Sequence, residues 1–398
     1  MKIAIYNANL HTMGGGEKYM GVIAEALAEN NEVDILCTID VDKDKLCSKL
    51  DLDLSKVKII PLNVENDSEV FSEKSKDYDL FINSTYFSKL KSQCPNSIMV
   101  LFFPWIEPHQ YPLWVKKGAY KLLGNTLFKN KDDSGNNILN RFYASQQNFF
   151  EKRQYLRTYG LFISISHYTH YWVSKELGVP SELLYPPVDT DGLKPGEKEN
   201  IFMSVGRFFI HSHNKKQLEM IKVWKELYDE NKEVMKDYSY YLCGSVADDD
   251  ESRKYVEQCK KEAEGYPINI KTDMPIDDLR AIYSKAKIFW HATGMGENIR
   301  KNPDKFEHFG ITTVEAMAAG VVPVVINKAG QSEVVKNNVD GYLWNNKKQL
   351  KSMTLDIVKN EEKRKAFAEE AIKSSKLFSK ENMIRDTKRI VENFLSNK

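Results

Sequence analysis

Short apolar runs alternate with segments whose apolar residues recur at helical spacing, and they do so from the first residues of the chain. Lys2 to Tyr6 is strand-like, Glu17 to Ala28 sets Met20, Ile23, Ala24 and Leu27 on one helical face, and Val33 to Cys37 is strand-like again. This is the rhythm of a β-α-β unit. Ile59-Ile60, Leu80 to Ile82, Ser97 to Phe103 and Leu161 to Ser164 are further short apolar runs, of the kind that parallel sheets bury on both faces. At Leu184-Tyr185-Pro186-Pro187-Val188-Asp189 the rhythm breaks, and a polar segment with Pro195-Gly196 follows. A domain boundary is expected there. The rhythm then restarts with strand Ile201–Val205, helix Lys215 to Tyr228, strand Tyr240 to Cys243, helices Asp250 to Glu264 and Ile276–Lys285, strand Ile288–His291, helix Thr312 to Ala319 and strand Val321 to Ile326. From Lys347 to Lys398 the pattern is helical, with Phe367, Ala371, Phe378, Ile390, Val391 and Phe394 as its apolar positions. The pattern predicts two doubly wound α/β domains, 1–188 and 189–377, and a terminal helix at 378–398 that can pack back on the first domain.

A length of 398 residues suits two hydrophobic cores better than one. Two such domains can face each other with the carboxyl ends of their strands, where open α/β sheets bind ligands, so a cleft between them is the expected site. Lys plus Arg number 57 against 56 Asp plus Glu, which leaves no global field for nucleic acid. Cys37, Cys47, Cys94, Cys243 and Cys259 are odd in number and lack C-x-x-C spacing, against both a disulfide framework and a zinc site. The chain starts with a strand, without the apolar core of a leader, and holds no run of about 20 apolar residues. A cytoplasmic protein is expected, with any membrane contact peripheral.

Gly14-Gly15-Gly16 sits between the first strand and first helix, where the absence of side chains exposes backbone N–H groups to a phosphate; a plain turn reads the same way. Arg207, after the first strand of the second domain, and Lys215, at the start of its helix, can converge on a diphosphate, and by themselves they read equally as two solvated surface cations. His211 and His213 in the same loop read as exposed residues. In Glu307-His308-Phe309-Gly310-Ile311-Thr312-Thr313-Val314-Glu315-Ala316-Met317-Ala318-Ala319-Gly320, a loop feeds a helix whose N-terminus suits phosphate, with one carboxylate before it and one a turn inside. Thr312-x-x-Glu315 is also the pattern of a capping box, which needs no ligand. Asp40, Asp42 and Asp248 to Asp250 read as solvated charges.

This stretch, continued through Val322-Pro323-Val324-Val325, Ala329-Gly330, Glu333-Val334-Val335 and Asp340-Gly341-Tyr342-Leu343, resembles the signature of retaining glycosyltransferase family 4, which has the GT-B fold of two Rossmann-like domains around a cleft. Gly206-Arg207 with Lys215, Tyr185 to Asp189 and Gly14 to Glu17 fall where that family has counterparts. The resemblance implies an acceptor-side domain at 1–188 and a nucleotide-sugar donor domain at 189–377. Arg207 and Lys215 would bind the donor diphosphate, Glu307 the donor sugar near its reacting carbon, and Glu315 the ribose. Phe309, Gly310, Ile311 and Thr312 would supply the loop and N–H groups at the β-phosphate, and Gly15 or Gly16 would close on it from the first domain. The implied reaction moves a hexosyl-type sugar from a nucleoside-diphosphate sugar to a saccharide or lipid-linked acceptor, with retention of configuration and no metal or other cofactor. A GT-B relative of epimerase or phosphorylase type, or a nucleotide-sugar-binding module without turnover, is the alternative.

The chain departs from that pattern in two places. Where the family often has a histidine beside the sugar, this chain has Phe102-Phe103-Pro104-Trp105, with His109 the nearest acceptor-side candidate. Ala329-Gly330 replaces a glycine pair, a change expected to matter little. The segment 105–160 is an individual insertion in which Tyr111, Trp114, Tyr120, Leu123 and Phe128 alternate with Lys116, Lys117, Lys121 and Lys129. It reads as a helical insertion packed on the first domain, and also as a surface able to rest on anionic lipid at the inner membrane face.

Overall fold

The computed structural model describes residues 1–106, 153–210 and 213–397. It divides into two compact units, one of Met1–Leu184 with Ile384–Lys398 and one of Tyr185–Met383. The first unit holds strands β1 (Lys2–Tyr6), β2 (Glu32–Cys37), β3 (Val57–Pro61), β4 (Leu80–Asn83), β5 (Ser97–Leu101), β6 (Leu161–Ser164) and β7 (Glu182–Leu183). They pair in the order β3-β2-β1-β4-β5-β6-β7, with every ladder parallel. Helix α1 (Gly15–Leu27) follows β1, α2 (Lys43–Leu50) follows β2, and α3 (His167–Leu177) connects β6 to β7. The core of this unit gathers around Tyr6, Phe71, Phe81 and Met99. Glu29, beyond the end of α1, pairs with Lys388 of the terminal helix.

The second unit is a six-stranded sheet of β8 (Ile201–Val205), β9 (Ser239–Gly244), β10 (Ile268–Thr272), β11 (Ile288–His291), β12 (Val322–Ile326) and β13 (Tyr342–Trp344), in the order β10-β9-β8-β11-β12-β13 and parallel throughout. Counted within the unit this is 3-2-1-4-5-6, the doubly wound Rossmann order. Two Rossmann-like parallel sheets are thus what the alternating rhythm predicted. Helices α4 (Gln217–Glu230), α5 (Asp250–Ala263), α6 (Ile276–Lys285), α7 (Ile311–Ala318), α8 (Lys347–Lys359) and α9 (Glu361–Ser375) surround the second sheet, and α10 (Lys380–Ser396) ends the chain. All residues of β11 and β12 are buried, because helices cover both faces of the sheet. Trp224, Trp290, Phe202 and Tyr240 fill the centre of the core.

Pro323 lies inside β12, where a missing N–H would ordinarily break a ladder. Val322 donates toward β11, through Lys287 O, so the alternation aims position 323 at β13. That strand begins to pair only at Val324, and the absent donor leaves nothing unmatched.

Of the acidic residues read as solvated charges, two are helix caps. Asp42 accepts from Lys45 N at the start of α2, and Asp249 from Ser252 N at the start of α5. Asp248 and Asp250 pair with Arg253 at the surface. All five cysteines are free. No helix among the described residues is long and apolar enough to cross a membrane.

Candidate functional site

The switch point of the second sheet lies between β8 and β11, whose outgoing connections depart in opposite directions. Both strands end in chemistry there. After β8 come Gly206, Arg207 and, at the end of the loop, Lys215. At the end of β11 is His291, and the connection onward to α7 carries Glu307.

Lys215 does not open the helix as expected. The helix begins at Gln217, and Lys216 before it is left-handed, with φ 59°. That turn points the two lysines in different directions. Lys215 Nζ lies 2.5 Å from Glu307 Oε2, and Lys216 Nζ lies 3.1 Å from Glu297 on the same long connection. The stem of Lys215 runs over Gly206, where an added Cβ would sit 2.6 Å from Lys215 Cγ. Glycine is thus required at 206 for the ammonium to reach Glu307.

The Lys215 and Glu307 side chains are 21% and 17% exposed. His291, 4% exposed, brings Nε2 to 3.0 Å of the same Glu307 oxygen. Burial pushes Glu307 toward its neutral form, but the Lys215 charge and the His291 N–H overcome this and hold the carboxyl well below the usual range. Glu307 is therefore a carboxylate at neutral pH. Lys215 has three donors, so one can serve Glu307 while others remain for a ligand oxygen. Arg207 is exposed, and its guanidinium has no ion pair among the described residues. Lys215 and Glu307 balance each other in charge, and Arg207 stands apart from that pair as an exposed cation.

The segment after Glu307 is shaped by its sequence. Phe309 is buried against Tyr185 and Phe378, with ring centroids 5.6 and 5.2 Å away, and anchors the loop in the unit. Gly310 then takes φ +114° as the N-cap of α7, a conformation that glycine tolerates and other residues resist. Its carbonyl accepts from Thr313 N and Val314 N. The N–H groups of Ile311 and Thr312 make no hydrogen bond among the described residues and stand at the positive end of the helix.

The capping-box reading of Thr312 and Glu315 is overturned. The N-cap is Gly310, two residues earlier, so Thr312 already lies inside the helix. Glu315 is held instead by Tyr283 of α6, whose buried hydroxyl donates to Oε2 at 2.9 Å. Burial, with the facing carboxylate, keeps that phenol protonated and therefore a donor.

His213 also departs from expectation. It is partly buried, with its ring edge-on to His308 at 4.4 Å between centroids, and burial lowers the proton affinity of both rings. His211 lies outside the described residues. Among the described residues, no cluster of three or more His, Cys, Asp or Glu is placed to hold a metal ion.

In the first unit, Gly15 and Gly16 are the opening residues of α1. Gly14 is its cap, and the Glu17 carboxylate accepts from Gly14 N and Thr12 Oγ1, both at 2.8 Å. Phe102 lies 3.7 Å from where a Gly16 Cβ would be, so an aromatic edge stands beside this turn. His109 and most of the 105–160 insertion lie outside the described residues. Trp105 is 59% exposed and packs on Phe87.

Ala329 carries a backbone cost. It sits at φ 53°, in the left-handed region, beside Gly330, where an added Cβ would come within 2.5 Å of Phe309 Cα. Left-handed backbone costs an L-residue about 1–2 kcal/mol, against about 0.4–1 kcal/mol for the added unfolded-state freedom of glycine. Ala329→Gly is therefore expected to stabilise the protein by up to about 1 kcal/mol, read as a raised urea midpoint. An unchanged or lowered midpoint would show that the strain is relieved elsewhere.

Of the residues singled out from the sequence, the structure pairs Lys215 with Glu307 and holds Glu315 by Tyr283, while Arg207 stands exposed without an ion pair among the described residues; His291, Tyr283 and Glu297 were not singled out. His291 carried one signal, a histidine closing an apolar strand at a carboxyl end. Tyr283 carried none beyond helical periodicity.

Residues 189–374 match the family Glycosyl transferases group 1. GDP-Man:Man(3)GlcNAc(2)-PP-Dol alpha-1,2-mannosyltransferase of Dictyostelium discoideum is 28% identical over 229 residues, 54% of this chain and 43% of that protein. The match thus spans less than half the length of that curated relative. A glycosyltransferase of Rickettsia africae superposes with a TM-score of 0.66 at 15% identity, over 100% of this chain and 99% of that one. Anabaena HepE in complex with UDP-glucose gives 0.66 at 13% identity, over 99% and 100%. Residues 189–374 thus match the glycosyl transferases group 1 family, in a chain whose two Rossmann-like parallel sheets share the fold of these solved glycosyltransferases.

Proposed function

We propose that this protein is a retaining glycosyltransferase that moves a hexosyl-type sugar from a nucleoside-diphosphate sugar to a saccharide or lipid-linked acceptor. The observation that carries the reading is the Lys215–Glu307 pair at the switch point of a group 1 domain, followed within a few residues by the open N-terminus of α7. In the reaction the bond between the anomeric carbon and the diphosphate breaks, its electron pair passing to the phosphate oxygen. The acceptor hydroxyl bonds to the same carbon and releases its proton. Negative charge grows on the leaving diphosphate, and fixed donors aimed at that charge supply most of the catalysis. Arg207, Lys215 and the N–H groups of Ile311 and Thr312 are such donors, so the proposed reaction needs no metal or other cofactor. Glu307 meets the sugar and Glu315 the ribose.

The Dictyostelium relative is named for GDP-mannose and a dolichol-linked glycan, and on that similarity GDP-mannose heads the candidate donors. Transfer to a lipid-linked acceptor would take place at the cytoplasmic face of a membrane, where the aromatic and basic composition of 105–160 suits peripheral contact.

The test is a panel of nucleoside-diphosphate sugars scored by thermal shift and by release of free sugar without acceptor. At least one donor should raise the melting temperature and be slowly hydrolysed, and Glu307→Ala should abolish the hydrolysis. Wild type matching Glu307→Ala on every donor would sink the catalytic reading, and a panel with no thermal shift would sink donor binding as well.

A further inference from the structure

His291 closes a strand whose other residues, Ile288, Phe289 and Trp290, are all buried and apolar. A polar ring in such a wall costs desolvation unless its hydrogen bonds are made. Its Nε2 lies 3.0 Å from Glu307 Oε2 and 3.1 Å from Thr293 Oγ1, while Nδ1 is buried with no hydrogen-bond partner among the described residues. A carboxylate oxygen only accepts, so the ring proton belongs on Nε2. Nδ1 is then an unmatched acceptor, which disfavours a second proton there.

The two donors to Glu307 are of different kinds. Lys215 brings a compact charge on a flexible stem, which can turn toward a diphosphate as charge grows there. His291 brings one directional N–H on a ring fixed by the strand. Both converge on Oε2, and Oε1 accepts no hydrogen bond from any described residue. One oxygen of the carboxylate is committed to the protein and the other is left for a ligand.

We propose that His291, neutral and protonated on Nε2, is a positioning residue that pins one oxygen of Glu307 so that the other meets a hydroxyl of the donor sugar. The inference rests on the reading of Glu307 as the sugar-facing carboxylate. Lysine sets the charge of Glu307, and histidine keeps its direction when the lysine moves.

Three variants test it. The amide N–H of His291→Gln reaches near the position of Nε2, that of His291→Asn stops near Nδ1, and His291→Leu has no donor. Turnover of the donor found in the panel is measured with the Kd of free GDP and of free UDP, which lack the sugar. His291→Leu and His291→Asn should lower kcat by about a hundredfold, as misplacement of a reacting group by about 1 Å does. Kd for the free diphosphate should stay within about twofold, and His291→Gln should restore most of kcat. Equal losses in the Gln and Asn variants, or nucleotide binding that falls in step with kcat, would overturn the proposal in favour of a purely structural histidine. Because the Gln and Asn variants carry the same amide donor one methylene apart, their comparison stands even if His291→Leu does not fold. If Glu307→Ala keeps full turnover, the functional reading itself fails, and that outcome is separate from a failure of His291 alone.

Discussion

Lys215→Met is expected to lower kcat/KM for the donor by about a hundred- to a thousandfold, and to destabilise the second unit at neutral pH by about 3–5 kcal/mol. Two losses coincide at one atom. The departing diphosphate loses a nearby positive charge in a largely buried site, which is where such a charge is worth most. Glu307, only 17% exposed, also loses its counter-ion and becomes a buried carboxylate held by His291 alone. The sign with pH separates the two. In the wild type Glu307 lies well below the ordinary value of 4.5, so its contribution to stability is complete above that value and fades as the pH falls through the folded-state pKa. In the variant, burial wins and raises the folded-state value, so stability is lost as the pH rises. The gap between the two proteins should therefore be largest near about pH 7 and should narrow toward about pH 4. Adding Glu307→Gln to Lys215→Met should return much of the stability and none of the activity, a coupling expected of side chains in contact. Urea titrations at the two pH values, with donor kinetics, read all of this. A stability gap that is constant with pH would show that the two side chains do not act as a pair.

Why this pair could be anticipated, and its surroundings could not, follows from what a linear pattern records. Parallel strands under two helical layers are apolar throughout, so Ile201–Val205, Ile288–His291 and Leu161–Ser164 stand out of the sequence with the limits they have in the fold. Edge strands lack that signature. Ile268–Thr272 mixes asparagine and lysine with partly buried isoleucines, Tyr342–Trp344 is three residues long, and Glu182–Leu183 has two. None of these was expected. Helix His167–Leu177 was also missed, although Ser166 caps its start and Gly178 ends it in the left-handed region, because aromatic and polar residues dilute its apolar stripe.

The site divides in the same way. Glu307 and Glu315 are legible because they lie in one continuous stretch with a loop and a helix start between them. What fixes each of them comes from elsewhere in the chain: Lys215 lies 92 residues away, His291 lies 16 away, and Tyr283 lies 32 from Glu315. A periodicity argument sees Tyr283 as one more apolar position of a helix. The burial that makes its hydroxyl seek Glu315 exists only once α6 and α7 are side by side. Likewise Tyr185, Phe309 and Phe378 looked like a linker residue, a motif residue and a tail residue, and they form one aromatic cluster under the loop.

That cluster sets up the second large effect, at Gly310. Gly310→Ala is expected to cost about 2–4 kcal/mol of stability and to weaken nucleoside-diphosphate binding by at least about tenfold. Gly310 is held from two directions, since Phe309 is locked among its aromatic neighbours and Gly330 N donates to the Glu307 carbonyl at 2.9 Å. The backbone therefore cannot readily leave φ +114°, where a Cβ is strained. The added methyl would also stand 2.3 Å from Nε2 of Gln331, a fully buried side chain that accepts from Thr313 Oγ1. Either the methyl pushes Gln331 away and breaks the Thr313 bond, or the loop rises and tilts the start of α7, with Ile311 and Thr312, out of line. Adding Gln331→Ala distinguishes them. It removes the clash but not the strained backbone, so the double variant should regain part of the stability lost by Gly310→Ala while binding of GDP or UDP stays weak. If instead the single variant binds these diphosphates as the wild type does, the N-terminus of α7 is not where the phosphates sit, and Arg207 and Lys215 must hold them without it.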